Sequence, residues 1–378
     1  MAAQNIDGKT IHSRLQIKLA QGGFQTKVFT DKELRDDLIN VETLIIDEIS
    51  MVSDKLLDFI SNLFAGLHNN ALAFGGINVI VVGDLAQLPP ITGQPVFNAT
   101  VWKLFYPLFL KISQRQIGDE QFLNLLEEVR IGNISDETWQ MLQQRHSEFL
   151  TTHPTISTLL DTTHIVGFKE NAQQINRMIC NMLPVPDNKF LISQAIDIVN
   201  FTPWNTSFTN QMFKSKTNLP INIRLQPGAR VMYLNNSLIE YKICNGTIGI
   251  VTDINLSEQI IRVAFSVRGS IIDIDVTKQT HYFEINGTNC QRTQYPLQNC
   301  FALTVHKTQG LTLPKVCLAL DGNIFSSGQA YVALSRCPTW NDIEISHLDR
   351  SAFMTDQNVI QEYQRLTEIS RLNPHVLS

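Results

Sequence analysis

Two apolar segments, each followed by acidic residues, constrain the fold of this chain more than any other feature. Residues 44–46 lead into Asp47 and Glu48, and residues 79–82 lead towards Asp84. An apolar run without polar alternation is typical of a strand that is covered on both faces, as in a parallel sheet. Open α/β sheets bind ligands at the carboxyl ends of their strands, where these acids lie. The sequence therefore predicts two buried parallel strands that carry carboxylates to one ligand site.

The adjacent acids Asp47 and Glu48 suit nucleotide hydrolysis. The first can hold Mg²⁺, and the second can orient or deprotonate an attacking water. Such sites usually include a glycine-rich loop that ends in Gly-Lys-Ser/Thr and binds phosphates through its amides. The chain contains no such loop: residues 8–10 imitate its end, but the preceding strand and first glycine are missing. An acidic pair after a strand also occurs in many proteins without a catalytic role.

Composition does not decide the partner. The 378 residues carry a formal net charge of −5, with 43% hydrophobic and 17% charged residues. These values are typical of a globular protein and allow a local basic channel on an acidic body. We recognise no targeting segment and no apolar stretch of about 20 residues that could span a membrane. We therefore expect an intracellular protein that makes no membrane contact.

Hydrophobic periodicity predicts a strand, helix and strand near the amino terminus. The strands are residues 41–46 and 77–82, and the amphipathic helix between them covers residues 54–68, with Asp54 as its cap. Further expectations are helices at 120–129 and 136–144, irregular structure at 181–220, and a late helix at 329–337.

A different pattern begins near residue 227. Five short strands, separated by turns such as Asn245-Gly246, are predicted between residues 229 and 285. The α/β pattern resumes at residue 299. This order predicts a small antiparallel barrel or sandwich inserted into a second α/β domain.

Three more side chains suit nucleotide chemistry. Gln87, in the loop after the second acidic strand, could contact a γ-phosphate or the attacking water. Arg115 and Arg336 could each stabilise the charge that develops during phosphoryl transfer. Either arginine alone would be interpreted as a surface ion pair or a helix cap. Together with the acids, they indicate nucleotide hydrolysis.

Residues 304–310, Thr-Val-His-Lys-Thr-Gln-Gly, place many hydrogen-bond donors after an apolar strand. Such a run suits phosphate contacts, on a nucleotide or along a nucleic-acid backbone. Any three of these residues alone would indicate only a polar loop. Residues 5–13 form another loop rich in small donors.

In their order along the chain, these blocks resemble the motifs of superfamily-one helicases of the PIF and RecD branch, and most closely those of PIF-like helicases. Residues 2–13 resemble motif Ia, LIIDEISMV the Walker B motif, GDLAQLPP motif III, residues 114–116 motif IV, residues 303–311 motif V and residues 331–336 motif VI.

The resemblance implies an ATP-dependent helicase that uses Mg²⁺ and moves 5′ to 3′ on single-stranded DNA, in the nucleus or mitochondrion if the source is eukaryotic. It implies an α/β fold of two RecA-like parallel-sheet domains, 1–112 and 113–228 with 299–378, and an SH3-like β-barrel at 229–298. The implied catalytic residues are Asp47, which is also the metal ligand, Glu48, Gln87, Arg115 and Arg336; those for ATP binding are Asp84, Gln309 and Gly310; those for DNA binding are Thr10, His12, Thr304, His306 and Lys307.

The amino terminus departs from the family pattern, in which a strand, a phosphate loop and a helix precede motif Ia. Without that strand, we expect the neighbouring strands to expose apolar flanks. One hypothesis is a PIF-like helicase whose sequence is incomplete. The alternative is a non-catalytic single-stranded-DNA-binding protein or an inactive helicase fragment. The presence of Glu48, Gln87 and both arginines favours the first hypothesis and leaves enzymatic activity to be tested.

Overall fold

A computed structural model describes residues 8–20, 23–152, 155–185 and 189–372. The chain forms two compact units. We name residues 2–150, 308–314 and 318–378 the α/β unit, and residues 151–307 and 315–317 the β-rich unit. Each contains a parallel strand pair, which confirms the predicted mixed α/β fold with parallel sheets. The domain boundaries after residues 112, 228 and 298 stay a prediction.

The first half of the α/β unit contains the predicted strand, helix and strand. Its elements are α1 (Ile11–Arg14), β1 (Ile17–Ala20), β2 (Gly23–Thr26), α2 (Lys32–Ile39), β3 (Thr43–Ile46), α3 (Asp54–Leu67) and β4 (Asn78–Val81).

Strands β3 and β4 pair in parallel, with Thr43 opposite Asn78, as predicted. The apolar side chains of α3 pack beneath them in the main core of the unit. The expectation that both faces are buried is wrong, because Ile45 is 55% and Ile80 is 50% exposed. The exposure of these two side chains shows that one face of the pair is not covered. Among the described residues, β3 and β4 also pair only with each other. The expected exposure of apolar flanks is therefore observed.

The N-cap of α3 lies one residue before the one that the sequence predicted. Ser53, and not Asp54, is the N-cap, because its Oγ accepts a hydrogen bond from the Leu56 amide at 3.3 Å. Asp54 instead accepts a hydrogen bond from the Gln94 amide, which ties the helix start to a later loop.

The Ser53→Ala variant should lower the stability of the α/β unit by about 1 kcal/mol, because a buried N-cap leaves a helix amide without its acceptor. Urea unfolding followed by tryptophan fluorescence measures this loss. Ser147→Ala is the matched control, since Ser147 is exposed inside a helix, where alanine is favoured. Equal midpoints for the two variants would contradict the prediction.

The second half of the α/β unit supplies helices that surround the acidic strands. Its elements are α4 (Glu120–Ile131), α5 (Asp136–Thr151, whose last residue lies in the β-rich unit), α10 (Gln329–Leu334), β19 (Ile343–Leu348) and α11 (Gln357–Leu372). Helix α11 contributes Val359 and Leu366 to the core that contains α3. Its Glu362 accepts a buried hydrogen bond of 2.7 Å from the indole of Trp102.

The β-rich unit combines a parallel pair with antiparallel sheets. Its elements are α6 (Ile156–Asp161), β5 (Thr163–Val166), α7 (Lys169–Met182), β6 (Leu191–Gln194), β7 (Ile196–Val199), β8 (Thr202–Trp204), α8 (Thr206–Phe213), β9 (Asn222–Leu225), β10 (Arg230–Tyr233), β11 (Ile248–Asn255), β12 (Ile260–Val267), β13 (Ser270–Val276), β14 (Gln279–Ile285), β15 (Thr288–Gln294), β16 (Leu297–Asn299) and β17 (Ala302–Thr304). The short helix α9 (Val305–Thr308) and strand β18 (Val316–Leu320) each begin in this unit and end in the other.

Two antiparallel sheets dominate the β-rich unit, in the strand orders β13-β12-β11-β10-β16 and β14-β15-β7-β8. The expectation of irregular structure at 181–220 is wrong, because this segment contains β6, β7, β8 and α8. These elements have three to eight residues and are fixed by distant partners, such as the buried pair of Asp197 with Arg292 at 2.6 Å. The second sheet extends outside residues 229–298, and the SH3-like barrel stays a prediction.

No helix in the described ranges is long and apolar enough to cross a membrane.

Candidate functional site

The carboxyl end of β3 places Glu48 in a fixed and unusual conformation. Glu48 has a left-handed backbone, with φ of 53°, which costs a non-glycine residue about 1 kcal/mol. The next amide, of Ile49, donates to the Val82 carbonyl at 3.0 Å at the end of β4. A Cβ at Gly83, where φ is 150°, would lie 2.8 Å from the Ile49 nitrogen, so this approach requires glycine. The two acidic strand ends are thus held together.

Glu48 is in contact with the loop that follows α9. Its Oε2 accepts a hydrogen bond of 2.8 Å from Nε2 of Gln309. The other amide atom of Gln309, Oε1, is buried without a hydrogen-bond partner among the described residues. Gly310 follows with φ of 74° and lets the chain turn. A buried acceptor without a donor is costly, so a ligand that donates here would stabilise the site.

Asp47 is exposed at the end of β3. Its Oδ1 accepts a hydrogen bond of 2.8 Å from the Glu48 amide, the one hydrogen bond of its side chain within the described part of the chain. No group of three or more His, Cys, Asp or Glu side chains in that part could hold a metal ion by itself. One available carboxylate matches Mg²⁺, which proteins bind through one or two carboxylates together with waters and substrate phosphates.

Arg115 and Arg336 meet at Ser335. Nη1 of Arg115 donates to the Ser335 carbonyl at 2.7 Å, and Nη2 of Arg336 donates to the Ser335 hydroxyl at 2.8 Å. Arg336 is only 3% exposed and also donates to the Val332 carbonyl at 2.8 Å. In the described ranges neither guanidinium has a carboxylate partner.

Burial, together with the charge of Arg115, lowers the pKa of Arg336 to about 10. Burial also lowers the pKa of Arg115. The carboxylate of Glu48 acts in the opposite direction on both groups, so it lies close to them. A buried and a half-buried positive charge, with only the Glu48 carboxylate nearby, form an environment that a bound anion would stabilise.

Asp84 is the centre of a hydrogen-bond network that we name the Asp84 cluster: Asp84, Arg130, Tyr331 and Tyr363. Arg130 on α4 donates to both carboxylate oxygens at 3.1–3.2 Å. Tyr331 on α10 donates at 2.9 Å, and Tyr363 on α11 donates at 2.6 Å. The cluster therefore connects the end of β4 to three helices.

Electrostatics in the Asp84 cluster favour the charged carboxylate. Burial acts to raise the pKa of Asp84, but the charge of Arg130 and hydrogen bonds from Arg130 and Tyr363 outweigh it, so the pKa lies below its usual range. Burial and the charge of Asp84 raise the pKa values of Tyr331 and Tyr363, which stay protonated donors.

Gln87 lies in the loop that follows Asp84. Its Oε1 is buried, with no hydrogen-bond partner in the part of the chain that the structure describes. Gly328, before α10, passes so close that a Cβ there would lie 2.4 Å from the Ala86 carbonyl and 2.7 Å from the Gln87 carbonyl. The loop with Gln87 and the start of α10, the helix that precedes Arg336, are thus in direct contact.

The predicted DNA-binding residues divide between the two units. In the α/β unit, Thr10 caps α1 through a hydrogen bond of 3.3 Å from the Ser13 amide, and His12 is exposed with its ring edge towards Phe24. In the β-rich unit, Thr304 is buried at the end of β17, and His306 and Lys307 are half-buried on α9. The Lys307 ammonium donates to Gln298 at 2.6 Å.

Sequence reasoning missed Arg130, Tyr363 and Gly328. Arg130 directly follows the predicted helix 120–129. A cation at the end of a helix is common, so nothing in the sequence indicated that it pairs with Asp84. Tyr363 lies 279 positions from Asp84, and no local pattern connects them. Of the three, only Gly328 offered a signal in the sequence. A glycine can indicate a position with positive φ, and φ of Gly328 is 77°.

The parallel strand pair, the paired acids and the two neighbouring arginines agree with the resemblance to PIF-like helicases. Residues 1–140 match the family profile described as PIF1-like helicase. The chain is 30% identical to human ATP-dependent DNA helicase PIF1 over 97% of its own length and 56% of that protein. It is 29% identical to ATP-dependent DNA helicase Pif1 of Bdellovibrio bacteriovorus, over 96% of the chain and 80% of the relative.

Solved structures agree. The Pif1 helicase of Candida albicans superposes with a TM-score of 0.82 at 25% identity, over 97% of this chain and 87% of that one. Bacteroides Pif1 in complex with ADP-AlF3 and single-stranded DNA gives 0.75 at 26% identity, over 97% and 85%. The chain is therefore a homologue of the PIF1-like helicases over nearly its whole length, and the resemblance predicted from the motifs is confirmed. It spans about half the length of the human relative.

Proposed function

We propose that this chain provides the ATP-hydrolysis and DNA-gripping parts of a PIF-type helicase that moves 5′ to 3′ on single-stranded DNA. The observation that carries the proposal is the position of Glu48, which is hydrogen-bonded to Gln309 and close to two arginines without carboxylate partners. A general base beside uncompensated positive charge is the arrangement that phosphoryl transfer to water requires. The relatives named ATP-dependent DNA helicase support the same activity.

In this proposal Glu48 accepts a proton from the attacking water, and Gln309 orients the carboxylate. Asp47 would hold Mg²⁺, which when bound neutralises charge on the phosphates. The exposed carboxylate of Asp47 fits this role because the protein occupies only one of its oxygens within the described ranges.

Arg115 and Arg336 stabilise the negative charge that develops on the transferred group. Their hydrogen bonds to Ser335 fix both guanidinium groups before a nucleotide binds, so little reorganisation accompanies the reaction. Gln87 and Gln309 offer buried amide oxygens that have no donor within the described part of the chain, and the attacking water could supply one. Gly310 allows the backbone to approach the nucleotide.

Asp84, predicted to bind ATP, has its oxygens engaged by Arg130, Tyr331 and Tyr363. We therefore propose that it acts on the nucleotide site through the two elements that it connects: the Gln87 loop and α10, the helix that precedes Arg336. Thr10, His12, Thr304, His306 and Lys307 are proposed to contact the sugar-phosphate backbone of the strand. For a eukaryotic source, the nucleus or mitochondrion is the proposed compartment.

A second candidate function is single-stranded-DNA binding without hydrolysis. It is favoured by one observation: the 378 residues contain no Gly-x-x-x-x-Gly-Lys-Ser/Thr sequence to hold the β- and γ-phosphates.

Hydrolysis by the purified chain, measured with and without single-stranded DNA, separates the two candidates. We expect DNA-stimulated ATP hydrolysis that falls on the order of 100-fold in Glu48→Gln, since the amide cannot accept the proton. Binding of single-stranded DNA should be the same in both proteins. Asp31→Asn, which changes an exposed helix cap in the same unit, is the control.

Hydrolysis that survives in Glu48→Gln would contradict the proposed mechanism. DNA binding without any hydrolysis by the parent chain would instead support the second candidate function.

A further inference from the structure

A cavity of about 500 Å³ lies in the β-rich unit, and none of its lining residues was predicted from the motifs. We name it the lysine cavity. Three lysines line it, namely Lys169, Lys214 and Lys216, together with His281 and the amide side chains of five Asn and Gln residues. No acidic residue of the described ranges lines it. The cavity therefore presents donors and positive charge but no carboxylate.

The loop that carries two of the lysines is anchored. It follows Phe213, which is fully buried and packs edge-on against Phe283 at 4.7 Å. The Lys216 amide donates to the Phe213 carbonyl at 2.9 Å, and the Asn218 amide side chain donates to the Leu234 carbonyl at 2.6 Å. Both lysines thus extend from a backbone that is fixed at each end.

The positive charge of the lysine cavity is not neutralised by the protein. Among the described residues, the side chains of Lys169, Lys214 and Lys216 make no salt bridge and no hydrogen bond. Burial and the nearby charge of Lys169 lower the pKa of Lys307 to about 8 and also lower that of His306. Lys169 is therefore close to both residues, and the positive region extends from the lysine cavity to the start of α9.

Helix α7 adds to this region. Lys169 is its first residue, and the N-cap, Phe168, provides no side-chain acceptor for the helix amides. The amino terminus of a 14-residue helix carries a partial positive charge and favours anions. The helix end and the lysines therefore both favour a bound anion.

We propose that the lysine cavity binds backbone phosphates of single-stranded DNA on a path that continues from His306 and Lys307. The inference deepens the proposed function and rests on it. The only aromatic ring in the lining is His281, so bases have almost no stacking surface. Contacts to phosphate carry no sequence information, and the cavity should therefore hold any sequence equally. Its role is to extend the grip on the strand beyond the motif residues.

The test is the salt dependence of DNA binding, measured by fluorescence anisotropy with a fluorescein-labelled oligothymidylate of about 16 nucleotides. The variant is Lys214→Gln/Lys216→Gln. The matched control is Lys32→Gln/Lys55→Gln, which removes two exposed lysines from helices of the α/β unit. Each phosphate contact contributes about 0.7 to the slope of log K against log salt for single strands, so we expect the slope to fall by about 1.4 in the variant. The control should match the parent.

Equal slopes and affinities in parent and variant would overturn this inference alone. A parent chain that does not bind the oligonucleotide would overturn the proposed function and this inference together. A repeat in sodium phosphate, at the ionic strength of the chloride series, separates free phosphate from DNA. If phosphate competed more strongly in the parent while the slopes in chloride were equal, the cavity would be a free-phosphate site and the DNA path would be wrong.

Discussion

Arg336→Ala is expected to lower DNA-stimulated ATP hydrolysis by about 10³-fold or more, which is the range in which an arginine that stabilises the transferring phosphate acts. The guanidinium is buried, lies close to Arg115 and forms no ion pair with a carboxylate in the described ranges. Its charge is therefore available to a bound phosphate. Because its lowered pKa of about 10 still lies well above neutral pH, Arg336 is charged when hydrolysis is measured. Binding of single-stranded DNA should remain.

Truncation of a buried arginine also removes packing and three hydrogen bonds. Arg336→Lys therefore serves as a second variant, since lysine retains the charge but not the planar fork that binds phosphate oxygens in pairs. We expect hydrolysis to fall strongly in this variant too, with an unfolding midpoint close to that of the parent. Arg350→Ala, which removes an exposed arginine that stacks on Trp139, is the control. Hydrolysis within tenfold of the parent in Arg336→Lys and Arg336→Ala would exclude the proposed role.

Local patterns predicted the elements of the α/β unit well. The spacing of Phe122, Leu125, Leu126 and Val129 predicted α4, and all four side chains are buried. The apolar runs before Asp47 and Asp84 predicted the parallel pair of β3 and β4. These features depend on residues that are near in sequence or share one periodicity, and such information is present in the sequence itself.

Features that depend on distant partners could not be predicted. The N-cap of α3 is Ser53 and not the predicted Asp54, because the Asp54 carboxylate accepts a hydrogen bond from the Gln94 amide instead. Strands β7 and β8 have only four and three residues; β7 pairs with β15, about 90 positions later, and β8 pairs with β7. The same holds for the candidate site, where Arg115 meets Ser335 across 220 positions.

The Asp84 cluster gives the second large expected effect. Arg130 and Asp84 are only 23% and 19% exposed, so in Asp84→Asn the partly buried Arg130 would keep only the exposed Glu127 as a counter-charge. Removing one partner of a buried pair costs about 3 kcal/mol or more. We therefore expect the α/β unit to unfold at a clearly lower urea concentration. Tryptophan fluorescence suits this measurement, since Trp102, Trp139 and Trp340 lie in that unit and only Trp204 lies in the other.

The effect should depend on pH in one direction. The pKa of Asp84 is lower in the folded protein than the value near 3.9 of an unfolded chain, so its stabilisation is present above that value. As the pH falls from there through the folded pKa, the parent loses this stabilisation and the difference from Asp84→Asn should shrink. The control is Glu148→Gln, which removes the exposed carboxylate that pairs with Arg145 in the same unit and should change the unfolding midpoint little. If both variants lost the same small amount at neutral pH, the cluster would be an ordinary surface pair. A larger loss in Asp84→Asn, accompanied by slower hydrolysis at urea concentrations where the variant is still folded, would show that Asp84 acts through the loop and helix that it connects.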